Sequence, residues 1–439
     1  MMSVSGVRGI YNDGLTDEIA ENLAYIFGQR YGSTVVVGRD SRKSGQQLAG
    51  AVIRGLRKAD SDVIDIGLAT TPTTEMAVAA RNASGGIIIT ASHNPAQWNG
   101  LKFLGSDGVF ISGEEGEKLF RQYKTVGNLE SVPLTGTVSA WEGACDHHIR
   151  AVLALERIDA DRIAGKKYTV CLDTVNGAGG PVCLDLLERL GCEVYTLNCD
   201  PTGEFARGAE PVPDNLGSLC SLVHDTGADI GFALDPDGDR LSIVNERGEA
   251  IGEEYTLALA LDYLLEGGDG ITVCNLSTSR MIDDVADRHG ARVYRSKVGE
   301  INVVLQMREV GAEAGGEGNG GVIYKPLHEG RDGVLGIALI LQMMTVNDRS
   351  IGELADSIPK YSMIKEKIDI AGKNSWIEPV TSAFTGETMD SRDGIKVVFE
   401  DSWVHIRESN TEPIVRIMAE APTTDAARNL VRRVYDALA

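Results

Sequence analysis

One pattern recurs three times along this chain, at intervals of more than 100 residues: an apolar strand, a helix and a second strand. Thr34-Val-Val-Val-Gly-Arg-Asp40 is an apolar run closed by a polar turn; a helical stretch from about Gly45 to Lys58 and the run Val63 to Gly67 follow. The order returns from Tyr168 to Asp173, through the Gly-rich turn Asn176 to Gly180 and a helix near Val182 to Leu190, to Glu193–Leu197. A third copy runs from Ile271 to Asn275, through Met281 to His289, to Ala291–Arg295. Continuous apolar strands alternating with helices belong in parallel or mixed sheets covered on both faces. Repeats this far apart are whole domains, since solenoid units span only about 20–50 residues. We expect three similar α/β domains with mixed sheets. After Ile370 come short strands (Ile395 to Phe399, Ser402 to Ile406, Ile414 to Met418) and a closing helix from Asp425 to Leu438, which suit a smaller α+β domain. The expected domains are 1–143, 144–253, 254–366 and 367–439.

Charge limits the partners. With 42 Lys+Arg against 64 Asp+Glu the net charge is -22, which repels nucleic acid and anionic membrane surfaces. The longest apolar run, Gly336 to Met344, is interrupted by Gln342 and is far short of the ~18 residues that span a bilayer. No basic-then-apolar signal opens the chain, so a cytoplasmic protein is expected. The 7 cysteines form no Cys-x-x-Cys pair, and Cys171, Cys183 and Cys274 sit in apolar stretches, which reads as reduced core thiols. His147-His148 opens what reads as an exposed helix, with no ligand role.

Four short segments carry chemistry. Thr90-Ala-Ser-His-Asn-Pro95 follows the apolar strand Gly85–Ile89, so Ser92 is presented where ligands gather on α/β sheets, with Lys102 close behind in sequence. Alone, this reads first as a turn without chemistry. Ser92-His93 makes a poor hydrolase pair, since sequence neighbours point apart and no Gly-x-Ser-x-Gly elbow is present. Asp235-Pro-Asp-Gly-Asp-Arg240 follows another apolar strand, and its alternate carboxylates converge on one hard cation. An EF-hand fails here, because position six is Arg240 and Leu241 to Val244 reads as a strand. A dehalogenase-type phosphatase also sets Asp-x-Asp after a strand, but near the start of its fold. Three carboxylates favour Mg²⁺ holding a phosphate. Gly315-Gly-Glu-Gly-Asn-Gly-Gly321 lacks the Lys-Ser/Thr ending of a nucleotide P-loop. Its glycines allow close backbone approach, leaving Glu317 and Asn319 for sugar hydroxyls; a plain flexible loop is the alternative. Arg407-Glu-Ser-Asn-Thr-Glu-Pro413 gathers a guanidinium, two hydroxyls and an amide, with Arg416 near, in a pattern that fits phosphate or a structural turn.

The order of these segments, one per domain, resembles the α-D-phosphohexomutase family over essentially the whole chain. Gly38-Arg-Asp-Ser-Arg42, Lys297-Val-Gly299 and Ser5-Gly-Val-Arg-Gly9 add to the likeness. It implies a phosphoserine at Ser92, with Ser92, Asp235, Asp237 and Asp239 around Mg²⁺. It implies catalytic roles for Ser92, Arg8, Lys102, His93 and Arg240, Lys102 as general base or acid. Lys297, Gly299, Glu317 and Asn319 would hold the sugar, and Arg407, Ser409, Asn410, Thr411 and Arg416 the distal phosphate. The reaction would interconvert hexose 6- and 1-phosphates through a bisphosphate, with hexose 1,6-bisphosphate as activator. A phosphosugar is the expected partner, for a monomer or homodimer. Several loops resemble the bacterial branch labelled phosphoglucosamine mutase, so glucosamine 6-phosphate is the first substrate expected. Phosphomannomutase/phosphoglucomutase is the alternative, and a metal-dependent sugar phosphatase a further one. Many bacterial members carry His where Gly321 stands; His328 or Arg331 is a candidate substitute for its proton-transfer role.

Overall fold

The computed structural model describes residues 2–3, 6–267, 270–369, 376–408 and 414–438. The three repeats fold into three sheets with one shared topology. In the second, Thr169–Asp173 lies between Glu193–Leu197 and Ile230–Leu234, parallel to both, and Leu241–Val244 joins antiparallel at the edge. In the third, Ile271–Asn275 lies between Arg292–Ser296 and Ala314–Glu317, and Gly321–Tyr324 closes antiparallel. The first sheet holds the same four-strand motif: Asp62–Leu68, Thr34–Arg39, Gly85–Ile89 and then antiparallel Trp98–Leu104. Further short strands extend it to eight. The sheets are therefore mixed, as expected.

This topology positions the chemistry. In every sheet the third strand of the motif runs parallel and the fourth returns antiparallel, so a tight loop must join them at the carboxyl end of the third. Residues 90–97, 235–240 and 318–320 are those three loops, and they carry Ser92, the Asp triad and the glycine run.

The fourth sheet is antiparallel, in the order Ser362–Asp369, Ile414–Ala421, Trp403–Glu408, Ile395–Val398, Thr388–Asp390. Trp376, Val380, Phe384 and Val434 from its helices fill its core. Ser362–Asp369 pairs along its whole length with Ile414–Ala421, so the fourth sheet begins before residue 366. The strand's partner lies about fifty residues on in the chain.

The apolar run seen in the sequence is the middle of the helix Gly333–Asn347, buried from Gly333 to Thr345. A helix apolar on every side belongs in a core. It packs in a core shared by the second and third units, and Gln342 accepts a hydrogen bond from Asp159 N at 2.8 Å. Among the described residues no helix is long and apolar enough to cross a membrane. All seven cysteines are free, three of them buried.

One expectation is overturned. The helix Ala144–Leu153 is not exposed at His148, which is wholly buried. Its Nε2 pairs with Asp332 Oδ2 at 2.8 Å and its Nδ1 with Thr73 Oγ1 at 2.9 Å. The helix packs against Thr71–Ala80 of the first unit, a tertiary contact that local polarity did not reveal.

The helices Asp17–Tyr31 and Gly45–Lys58 pack closely because glycines face the contact. A Cβ on Gly55 would lie 2.1 Å from Glu21 O. Gly55→Ala should therefore force the helices apart and cost about 1–3 kcal/mol, measurable as a lower midpoint in urea unfolding. An unchanged midpoint would show that the pair tolerates separation.

Candidate functional site

The first loop is built on a buried ion pair. Arg42 is fully enclosed and spends its five N–H groups on this loop and its base: Nε on Asp40 Oδ2 (2.9 Å), Nη1 on Pro95 O and Trp98 O (2.7 and 2.8 Å), Nη2 on Ser92 O and Asn94 O (2.5 and 2.7 Å). Asp40 also accepts from Thr90 Oγ1 at 2.7 Å, and Thr90 Oγ1 accepts from Ser92 N at 2.8 Å. Ser92 is held at φ 50°, a left-handed conformation costing roughly 1–3 kcal/mol that the surrounding bonds sustain. Its hydroxyl donates to Asp235 Oδ2 at 3.3 Å. His93 Nδ1 lies 3.4 Å from the same hydroxyl, so these neighbours converge where the sequence suggested divergence. The left-handed turn at Ser92 is the reason. The Arg240 charge, then burial, holds the His93 imidazole well below its ordinary range, so it stays neutral.

Asp235, Asp237 and Asp239 are wholly buried, and one oxygen of each lies within 4.8 Å of the others. Burial, then the neighbouring Asp239 and Asp237, pushes the Asp235 carboxyl well up. Asp237 goes the other way: burial raises it, but Lys102, Thr71 and Asp235 together hold it low. Lys102 Nζ donates to Asp237 Oδ2 at 2.7 Å and lies 3.6 Å from Asp239 Oδ2. Burial lowers the Lys102 ammonium, yet Asp237 and Asp239 raise it further, so it stays charged. Thr71 clasps Asp237 twice, its hydroxyl donating to Oδ2 and its N–H to the carbonyl, both at 2.8 Å. Arg240 donates its backbone N–H to Asp235 Oδ1 (3.2 Å) and its Nη1 to Glu210 (2.9 Å). Arg8 Nη1 donates to Asn94 Oδ1 at 3.1 Å, placing Arg8 over the serine loop.

A metal fits this donor set. Asp237 Oδ1 and Asp239 Oδ1 are buried with no hydrogen-bond donor. An orphaned buried carboxylate oxygen is costly unless a cation supplies what a donor would. All-oxygen ligation favours a hard divalent ion.

At the end of the strand Ala314–Glu317, just before the third loop, Glu317 is buried and nearly spent: Oε1 accepts from Asn275 Nδ2 (2.7 Å) and Gly299 N (2.9 Å), Oε2 from Arg331 Nη1 (2.8 Å). Burial raises this carboxyl, and Arg331 with these donors brings it below its ordinary value. Asn319 Oδ1 is buried without a partner. Lys297 is exposed beside Gly299. Neither Asn275 nor Thr71 was read from the sequence as a site residue; each is an ordinary residue at an element end, visible only once the sheets meet. His328, offered in place of the missing His, is paired elsewhere: Nε2 lies 3.2 Å from Asp332 Oδ2 and Nδ1 3.4 Å from Glu75.

From the fourth unit, Arg407 and Arg416 stand directly opposite each other on paired strands. Like charges in that register repel, which an anion between them would relieve. Burial lowers the Arg407 guanidinium, and Asp393 partly offsets this. Ser409, Asn410 and Thr411 lie outside the described residues. His405 Nδ1 pairs with Ser277 Oγ at 2.8 Å, and Lys396 donates to Leu276 O at 2.6 Å, tying this unit to the third.

Each of the four units has a counterpart in one family. Residues 2–130, 146–248 and 252–361 match phosphoglucomutase/phosphomannomutase alpha/beta/alpha domains I, II and III, and residues 365–437 match its C-terminal domain. The chain belongs to the phosphoglucomutase/phosphomannomutase family, whose members are isomerases that transfer phosphate within a sugar. It is 38% identical to a phosphoglucomutase/phosphomannomutase of Thermococcus kodakarensis, over 96% of this chain and 95% of that one. It is 36% identical to a probable phosphoglucosamine mutase of Methanopyrus kandleri, over 97% and 95%. Both relatives are archaeal, where the sequence pointed to a bacterial branch. A putative phosphomannomutase from Thermus thermophilus superposes with TM-score 0.84 at 26% identity, covering 100% of this chain and 98% of that one.

Two tests follow from this geometry. Arg42→Met leaves Asp40 charged and buried without its partner, which should cost about 3–5 kcal/mol in chemical denaturation and leave no mutase activity. Glu254 packs under the glycine loop and accepts from Ser279 N at 3.0 Å; burial pushes its carboxyl up to about 8, against the pull of Lys365. Its folded form holds the proton more tightly than the unfolded chain, so the stability it adds is complete below its ordinary 4.5 and is lost as pH rises through about 8. Glu254→Gln should flatten the fall in melting midpoint between roughly pH 5 and 9; an unaltered slope would assign that fall to other groups.

Proposed function

We propose that this chain interconverts hexose 6- and 1-phosphates through a phosphoserine at Ser92 and a hexose 1,6-bisphosphate, with glucosamine 6-phosphate as its preferred substrate. The supporting observation is the Ser92 hydroxyl 3.3 Å from a buried, partly unsatisfied Asp triad, ringed by Arg8, Lys102 and Arg240. The domains meet near residues 143, 253 and 366 in this reading.

The substrate's phosphate docks between Arg407 and Arg416, with Ser409, Asn410 and Thr411 completing the clamp. Lys297, Gly299, Glu317 and Asn319 hold the sugar so that its free hydroxyl faces Ser92. That hydroxyl oxygen attacks the phosphoserine phosphorus, its proton passing to a non-bridging oxygen of the phosphoryl group in transfer, the bond from phosphorus to Ser92 Oγ breaks, and the sugar becomes a bisphosphate. After the bisphosphate turns around, Ser92 Oγ attacks its other phosphoryl group and regains a phosphate. Mg²⁺ on Asp235, Asp237, Asp239 and Ser92 would neutralise the roughly -1.5 to -2 charges of the phosphoserine. Lys102, held as an ammonium, enters as proton donor to the departing oxygen, and Arg8 and Arg240 stabilise charge on the moving group. Neutral His93 stays beside Ser92 as an uncharged hydrogen-bond partner. Positioning supplies most of the remaining rate.

Glucosamine 1-phosphate is the first substrate to try, and the similarity to the phosphoglucosamine mutases supports it. The similarity to the Thermococcus kodakarensis phosphoglucomutase/phosphomannomutase supports the second reading, in which glucose and mannose phosphates are preferred. Initial rates on the three 1-phosphates, with Mg²⁺ and trace hexose 1,6-bisphosphate, decide between them by kcat/KM. Continuous release of inorganic phosphate would instead establish a phosphatase. Ser92→Ala should abolish turnover and ³²P labelling together; label retained in that variant sinks the phosphoserine. Because a -22 chain must draw in an anion through local cations, added salt should raise KM.

A further inference from the structure

Arg331 is the one residue that touches both the metal loop and the sugar loop through charged bonds among the described residues. Its Nη2 donates to Asp239 Oδ2 at 2.6 Å, its Nη1 to Glu317 Oε2 at 2.8 Å and its Nε to Glu300 Oε2 at 2.9 Å. Its backbone N–H adds a bond to Glu300 Oε1 at 3.3 Å. A planar guanidinium directs these donors at fixed angles, so three buried carboxylates from the second and third units are set at fixed separations. The stem that reaches them runs through the space above Gly321: a Cβ there would lie 2.2 Å from Arg331 Cδ and 2.8 Å from Cγ. The two positions therefore form one steric unit, and any side chain at 321 evicts the guanidinium. With Oε1 of Glu317 already accepting two bonds and Oε2 one, a single acceptor site remains for a ligand, on Oε2.

We infer that Arg331, in the space left by Gly321, is the positioning residue that locks Glu317 to the Asp239 loop, so that the sugar meets one acceptor at a fixed distance from the transferring phosphoryl group. The inference rests on the proposed reading of those two loops as sugar and metal sites. Arg331 does not shuttle protons: Asp239, Glu317 and Glu300 outweigh its burial and hold the guanidinium more firmly charged than usual.

Gly321→Ala, Arg331→Ala, Arg331→Lys and the double Gly321→Ala/Arg331→Ala variant test it. Gly321→Ala removes no charged group, yet it should raise KM at least tenfold, and Arg331→Ala should raise it further. The double variant should be no worse than Arg331→Ala alone, because truncation removes the Cγ and Cδ that the alanine at 321 would strike. Arg331→Lys should recover part of the loss and keep the wild-type pH–rate profile. Melting midpoints separate these effects from loss of fold. A wild-type KM in Gly321→Ala, multiplying effects in the double variant, or a shifted basic limb in Arg331→Lys overturns the inference. Calorimetric binding of glucose 1-phosphate in a Ser92→Ala background separates it from the mutase reading. Binding weakened tenfold by Gly321→Ala supports the positioning role even where the wild type shows no mutase rate, and equal binding refutes it even where the wild type turns over.

Discussion

Everything at this site depends on holding like charges together. Asp235, Asp237 and Asp239 are buried within 4.8 Å of one another, an arrangement that self-repels in low dielectric unless cations compensate it. Lys102 from the first unit, Arg240 from the second and Arg331 from the third all reach Asp239, and Lys102 reaches Asp237 as well. The compensation thus comes from three separate units. The triad is therefore a reason for the domains to dock as they do, because the cations that offset it come from all three.

The helix Thr71–Ala80 shows how that docking is made. Every residue from Thr71 to Val78 is buried, although most of them are polar or small. Thr71 bonds Asp237, Thr73 bonds His148 and Glu75 faces His328, so one helix of the first unit presents polar groups to the second and third. Burial leaves the Glu75 carboxyl high, with neighbouring Glu300 raising it further and Lys102 opposing. A bare anion at Glu75 would face Asp332 and Asp239 as well.

The three equivalent loops explain why one chain can hold four functions in order. A parallel third strand followed by an antiparallel fourth leaves a short loop at the same end of each sheet. Repetition of that hairpin gives three mouths, which the packing turns toward one another. The serine, the carboxylates and the glycine run are variations at one structural position, and the antiparallel fourth unit adds the paired arginines.

The strands, the helices and the identity of the chemical groups were legible in the sequence, because apolar periodicity and short polar loops are local signals. Gly45–Lys58, Glu193–Leu197, Ile271–Asn275 and Leu241–Val244 fold where their patterns place them. Ser362–Asp369, the burial of His148 and the convergence of His93 on Ser92 were not legible. Each is fixed by a partner distant in the chain or by a left-handed turn that serine does not announce. The same holds for Gly321, whose missing side chain means nothing until Arg331 is seen in its place. Sequence alone determined which groups this protein owns and on which loops they sit. Only tertiary structure decided which of them are charged and which are already spent, because burial and opposing charge act across space and not along the chain.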